Sequence, residues 1–341
     1  MGTRASPGLA GLIRRFGRRR VLVLGDMVAD EYLLGRPARI SREAPVLILE
    51  YTGSFVRPGG ATNPAYNVSR LGAAARVVGV VGDDEMGRRL RSVLEEGGID
   101  TRCLLVDSTR ATSTKTRVVG KGTQEVQQQI VRIDRVDTSP VLPVVRDRMI
   151  DAVCDALDTV DALLISDYEI GVISPEVIEA CLPEARSRGL PIVVDSHGDL
   201  FRFRGITAAT PNQPEAAATL GCDLVREDEL DHGGALLLEG MDARAVLITR
   251  GSEGIALYEP RSEPYRLPVA LDTGSVVIDP NGAGDTVAAI FTLVIASGGT
   301  MRQGAYLGNV AGGEVVRRLG PAALTQTELV SALRASPLPS P

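Results

Sequence analysis

Two histidines, two lysines and no tryptophan occur among 341 residues, and each shortage removes a chemistry. With only His197 and His232, a multi-histidine metal centre or a Ser/His/Asp hydrolase would rest on a single imidazole. The four cysteines, Cys103, Cys154, Cys181 and Cys222, are widely spaced and form no CxxC pair, so neither a disulfide framework nor a zinc site is expected. Long apolar runs are missing too. The cluster Arg14, Arg15, Arg18, Arg19 and Arg20 is followed only by VLVLG before Asp26, too short for a signal peptide, and nothing approaches the roughly 18 apolar residues of a membrane span. A formal net charge of −6 speaks against a nucleic-acid surface and leaves that cluster as a solvated helical face. There is no GxxxxGK[ST] and no GxGxxG after a strand, which excludes the P-loop and disfavours a dinucleotide fold. The expectation is a cytoplasmic protein with a small-molecule substrate, no nucleic acid and no membrane. Thirty-five of the 37 basic residues are arginine, so Lys115 stands out as a lysine retained against that bias.

What is present is 44% hydrophobic residues, enough for a substantial core. Continuous apolar runs at 21–25, 76–81, 161–166, 190–195 and 243–249 predict buried parallel strands, alternating with helices at 63–71, 85–97, 143–158, 174–188 and 226–240. Three helices are predicted between 283 and about 335, and a further helix starts at 210–216. The fold class is α/β: a doubly wound, mainly parallel central sheet flanked by helices. Stretches 43–57 and 111–134 break the alternation and predict antiparallel strands with a Gly-containing turn, forming a small sheet over the active face. Residues 1–20 read as a basic N-terminal segment, 21–335 as the catalytic domain and 336–341 as a flexible tail. Polar signatures follow the strands: GDMVAD, SDY at 166–168, DSHGD at 195–199, TPNQPE at 210–215 and TRGSEG at 249–254. In an open α/β sheet those positions share one rim, where ligands bind.

The segment DPNGAGDT at 279–286 runs straight into an apolar helix. Gly282, Ala283 and Gly284 would bring backbone N–H groups and the helix dipole against a phosphoryl group. Asp285 beside them has the reach to accept a substrate hydroxyl proton. The competing reading is a glycine turn with Asp285 as a helix cap. In PGGATN, Gly59 and Gly60 allow close approach to a sugar ring and Asn63 offers a donor and an acceptor, unless Asn63 simply caps its helix. Asp26 and Asp30 suit bidentate bonding to a polyol, with loop solvation as the alternative. Asn212 and Glu215 are spaced to hold water around Mg²⁺, and equally well to form a capping box. Lys115, Arg117 and Arg132, with Gln127, Gln128 and Gln129, lie on the expected lid sheet, either as a cationic face towards a phosphate or as a solvated one.

In order, PGGATNPAYNVSRLG, TPNQPE, TRGSEG and DPNGAGDT resemble the ribokinase (PfkB) family of carbohydrate kinases over roughly Val21 to Leu324. Within it, GDMVADEYLLG, RISREAPV, TKTR, RID, SDY, LFRFRG and NVAGGEVVRRLG look most like the heptose 7-phosphate kinase domain of ADP-heptose synthesis proteins. The resemblance implies a ribokinase-like fold with a β lid often used for homodimerisation, and ATP with Mg²⁺; it also admits a monovalent cation. It makes Asp285 the base, Gly282, Ala283 and Gly284 the anion hole, and Asn212 with Glu215 the Mg²⁺-linked pair, the metal being met by Glu215 through water. Asp30, Gly59, Gly60 and Asn63 would hold the sugar, and Lys115 and Arg117 would lie near its phosphate. Thr249, Gly251, Gly254 and Asn309 would line the ATP site. The chain departs from the pattern at Ile170 and His197, which stand where the heptose kinases usually carry lysines, and at Asn281. A neutral histidine would forfeit that charge. Kinases for other sugars or nucleosides and a retired sugar-phosphate sensor remain as alternatives, and no second nucleotidyltransferase domain is expected within these residues.

Overall fold

A computed structural model describes residues 8–121, 127–270, 277–318, 320, 322–336 and 338. Strand β1 (Arg20–Gly25) lies inside a nine-stranded sheet with β4 (Ala74–Gly82), β5 (Leu104–Asp107), β8 (Ala162–Asp167), β9 (Ile192–Ser196), β10 (Ala208–Ala209), β11 (Ala245–Thr249), β12 (Ile255–Tyr258) and β13 (Tyr265–Leu267). Their order is β13-β12-β11-β10-β9-β8-β1-β4-β5. Every pair from β11 to β5 is parallel, and β12 and β13 extend one edge in antiparallel fashion. Both faces are dry: Val21 and Val23 enter one apolar cluster while Leu22 and Leu24 enter the other. This is why these strands read as unbroken apolar runs.

One face carries α1 (Leu9–Ile13), α2 (Thr62–Arg70), α3 (Glu85–Glu96), α8 (Ala283–Ala296), α9 (Met301–Val315) and α10 (Gln326–Ala335). The other carries α4 (Pro143–Leu157), α5 (Pro175–Ser187), α6 (Gln213–Leu220) and α7 (Glu227–Met241). Helix ends follow local chemistry, as where the Asp84 carboxylate accepts the Gly87 N–H at 2.8 Å to start α3. Helix α8 is buried all round from Asp285 to Val294, so its N-terminus is fixed from within the protein. Among the described residues no helix is long and apolar enough to cross a membrane, and all four cysteines are free.

The predicted strands and helices are present, and the short strands β5, β10, β12 and β13 are additions. The larger correction lies after β1. Residues expected there as a loop form β2 (Met27–Ile40), which leaves the central sheet at Asp26 and enters the lid. With β3 (Leu47–Gly60), β6 (Ser113–Lys121) and β7 (Gln127–Arg135) it makes a four-stranded sheet ordered β3-β2-β6-β7. The lid is not wholly antiparallel, because β2 and β6 run parallel. Its expected Gly-containing turn, 122–126, lies outside the described residues. The N-terminal segment is no separate basic arm: Leu12, Ile13 and Phe16 are fully buried with α8 to α10. Arg14 and Arg15 occupy a turn rather than a helical face, while Arg19 and Arg20 pair with Asp161 at 3.6 Å. Of the tail, Ser336 and Leu338 are described, and the Tyr306 hydroxyl donates to the Leu338 carbonyl at 3.0 Å, so these residues are held against α9.

Candidate active site

The sheet order reverses direction around β1, and in such sheets a crevice opens beyond the carboxyl ends of the strands. A cavity of roughly 340 Å³ lies there under the lid. Gly282 enters α8 with φ of 80°, a left-handed conformation glycine adopts without strain. A Cβ on Gly284 would meet nothing within 4 Å, so the backbone here faces open space. The Ala283 N–H is already donated to the Pro280 carbonyl at 3.3 Å, which leaves the amides of Gly284 and Asp285, without intrahelical partners, to face an anion. Gly282 and Gly284 line the cavity and Ala283 does not.

Asp285 is 6% exposed and makes no helix-capping bond. Its Oδ2 accepts the Asn63 amide at 2.6 Å and its Oδ1 accepts the Tyr168 hydroxyl at 3.0 Å. Burial pushes its pKa up to about 6, against the lowering by those two bonds. Asn63 likewise caps nothing: α2 begins at Thr62, and one N–H of its amide goes to Asp285 while its Oδ1 accepts from Asn67 at 3.3 Å.

Gly59 and Gly60 end β3 against β2. A Cβ on Gly59 would stand 2.8 Å from the Asp30 carboxyl carbon, so glycine makes room for that carboxylate. Asp30 pairs with Arg117 at 2.6 Å, both nearly buried. Burial raises the Asp30 pKa while the guanidinium pulls it down. Lys115, two residues away on the same face of β6, places its Nζ 5.1 Å from the Tyr168 ring centre. Arg132 also lines the cavity, although it is ion-paired with Asp134 at 2.8 Å. Nothing is described of the Gln127 side chain, while Gln128 and Gln129 are exposed, as a solvated face would have them.

On the opposite wall, the capping box is realised: Asn212 Oδ1 accepts the Glu215 N–H at 2.8 Å and Glu215 Oε2 accepts the Asn212 N–H at 2.7 Å. Both residues still line the cavity. Glu215 Oε1 meets His197 Nδ1 at 2.8 Å. That hydrogen bond raises the His197 pKa, so the expectation of a mostly neutral imidazole is reversed and a cation is kept where a lysine was expected. Ile170, the other departure, is buried. Asp195 lies nearby, its pKa raised by burial and then by the charges of Asp285 and Glu215. Among the described residues no three His, Cys, Asp or Glu side chains are grouped to hold a metal. The oxygen donors of Glu215, Asp195 and Asn212 nevertheless suit Mg²⁺, which keeps most of its waters and takes further ligands from phosphates.

Thr249 lines the cavity through its pairing beside Asn212, but Gly251, Gly254 and Asn309 lie off it. Gly254, at φ of 88°, forms the turn between β11 and β12, and a Cβ there would collide with the Leu267 carbonyl. The Asn309 amide is taken by the Pro268 carbonyl at 2.7 Å. Asp26 also lies off the cavity. It is fully buried and accepts backbone N–H groups from Tyr168 at 2.7 Å and Val172 at 3.2 Å, so neither sugar binding nor loop solvation describes it. Tyr168, Asp195 and Thr210 line the cavity without having been singled out. Their signal was the SDY, DSH and TPN placement at strand ends.

Open backbone at a helix start beside a buried carboxylate, under a lid, is an arrangement suited to phosphoryl transfer. The chain belongs to the pfkB family of carbohydrate kinases, whose sequence description matches residues 19–328. It is therefore a phosphotransferase acting on a sugar hydroxyl. Curated relatives include the bifunctional protein HldE of Pelobacter propionicus, 36% identical over 95% of this chain and 65% of that protein. HldE of Geobacter sulfurreducens is 38% identical over 94% and 64%. The chain thus spans a little under two thirds of the length of these relatives. Among solved structures, Arabidopsis thaliana ribokinase complexed with ribose and ATP superposes with a TM-score of 0.72 at 17% identity, covering 93% of this chain and 99% of that one. Escherichia coli phosphofructokinase-2 in complex with substrates and products gives 0.74 at 17%, with the same coverage. These two share the fold.

Proposed function

We propose that the chain is a Mg·ATP-dependent kinase that transfers the γ-phosphoryl group to a hydroxyl, the anomeric one, of a heptose 7-phosphate or closely related sugar phosphate. The observation that carries the reading is the Asp285 carboxylate, buried and doubly hydrogen-bonded, beside the open backbone at Gly282 and Gly284. Asp30 and Asn63 orient the sugar, and Lys115 with Arg117 sets the positive side of the lid towards its phosphate. Asp285 takes the proton of the attacking hydroxyl as its oxygen bonds to the γ-phosphorus, and the bond to the ADP oxygen breaks in line. The backbone at the start of α8 steadies the charge on the phosphoryl oxygens. His197 adds a cation on the nucleotide side. Glu215 would meet Mg²⁺ through water, and the metal would supply neutralisation of phosphate charge. The heptose assignment rests on the subfamily resemblance together with identities of 36–38% to the HldE proteins.

The far ends of β2 and β3 leave Ile40 at 59% and Tyr51 at 69% exposure, and β7 leaves Ile133 at 58%. Such apolar exposure supports a homodimer joined through the lid. A cytoplasmic location accords with the ATP requirement.

The test is ADP release with Mg·ATP and D-glycero-D-manno-heptose 7-phosphate, against ribose, fructose 6-phosphate and adenosine, with Asp285→Asn as control. Turnover on the heptose phosphate that Asp285→Asn abolishes is the expected result. Turnover on another acceptor alone refutes the sugar and retains the kinase. Heptose phosphate binding without ADP release from any acceptor would make the protein a sensor.

A further inference from the structure

We infer that Tyr168 is a positioning residue for the Asp285 carboxylate, its hydroxyl fixing one oxygen while Asn63 fixes the other, and that Asp26 holds Tyr168 in place from behind. The inference rests on Asp285 being the base. The loop after β8 has left-handed φ values at Glu169 (57°) and Gly171 (87°). Alternating backbone of this kind turns successive N–H groups into one concavity that suits an anion. Here the anion is Asp26: Oδ2 receives the N–H of Tyr168 at 2.7 Å and of Ile170 at 3.4 Å, and Oδ1 that of Val172 at 3.2 Å. Gly171 is packed so closely that a Cβ would stand 2.1 Å from the Ser139 carbonyl, so glycine is required there. The carboxylate at the junction of β1 and β2 therefore sets the start of the Tyr168 side chain.

From there the ring meets two side chains. The His197 ring centre lies 4.4 Å away with a 45° tilt, and Lys115 Nζ is 5.1 Å away. The hydroxyl then reaches Asp285 Oδ1 at 3.0 Å. Burial and then the Asp285 charge hold the phenol well above its ordinary pKa, so it remains a donor throughout the working range. With Asn63 on Oδ2, the carboxylate plane is set and each oxygen keeps a lone pair for a substrate hydroxyl. The other charged groups around the cavity are Asp30 from β2, Lys115 and Arg117 from β6, Arg132 from β7, Asp195 and His197 at the end of β9, and Glu215 from α6. A Tyr168→Phe change alters none of these and retains the ring stack.

The experiment compares wild type with Tyr168→Phe in two readouts. One is the pH profile of kcat and kcat/KM on the accepted sugar; the other is the titration of the Asp285 carboxyl followed by ¹³C NMR, assigned by its loss in Asp285→Asn. Expected are a kcat lowered about tenfold, part of the roughly 10²–10⁴-fold that an acid–base group contributes, an ATP KM within about twofold, and an upward shift of the acid limb and of the carboxyl midpoint together. An unmoved midpoint overturns the inference, whether kcat is kept or lost. Should Asp285→Asn retain turnover, the base assignment fails and the positioning role with it. The ligand-free titration still reports the hydrogen bond, so that failure is distinct from the absence of the Tyr168 contact.

Discussion

Replacing Asp285 by asparagine is expected to stabilise the ligand-free protein at alkaline pH while removing turnover. In the folded chain its pKa is raised from 3.8 to about 6, burial being the largest cause. A folded value above the unfolded one means that the protonated form is favoured by folding. That contribution is fully present below 3.8 and is lost as pH rises through about 6. At pH 8 the ionised group costs the fold about 3 kcal/mol, and at pH 4.5 about 1 kcal/mol. Asparagine carries no charge but turns an N–H group towards either Asn63 or Tyr168, forfeiting one hydrogen bond at about 1 kcal/mol. The net gain is about 2 kcal/mol at pH 8 and near zero at pH 4.5, which for a chain of this length corresponds to about 3 °C at pH 8. Thermal melts of both proteins from pH 4.5 to pH 8, without ligands, supply the measurement. A melting difference independent of pH, or a variant less stable at pH 8, refutes the reasoning.

Glu215→Gln should raise the half-saturating Mg²⁺ concentration about tenfold with little change in sugar KM, and an unchanged metal requirement in a kinase assay would remove Glu215 from the Mg²⁺ site. Asp30→Ala strands the buried Arg117 guanidinium and should cost about 3–5 kcal/mol in denaturant unfolding, whereas adding Arg117→Leu to it should recover part of that loss. No recovery would mean that the pair is not the source of the damage. Tyr51→Glu combined with Ile133→Glu should halve the mass seen by light scattering; a wild-type protein that already runs as a monomer would dispose of the lid dimer.

The periodicity of the sequence alone determined the layered core. Strands buried on both faces must be apolar throughout, and helices packed on one side must repeat near every third or fourth residue, so both were legible without contacts. The placement of Asp285, Gly282 and Gly284 at the start of α8 was legible as well, because a glycine turn into a helix is local structure written in consecutive residues. Strand β2 was not legible. Its inward residues include Asp30, whose burial is compensated chiefly by Arg117, 87 positions along the chain. The role of Asp26 was hidden for a related reason, since its backbone partners lie more than 140 residues away and N–H groups carry no sequence identity. His197 is the clearest case of tertiary control. Its residue type suggested a neutral ring, yet the fold set Glu215 2.8 Å from Nδ1 and kept the charge. Local patterns thus specified the elements and the open helix start at Gly282 to Asp285. Protonation states, and which carboxylates face the cavity, depended on long-range pairing, because a charge responds to every group the fold brings within a few ångströms.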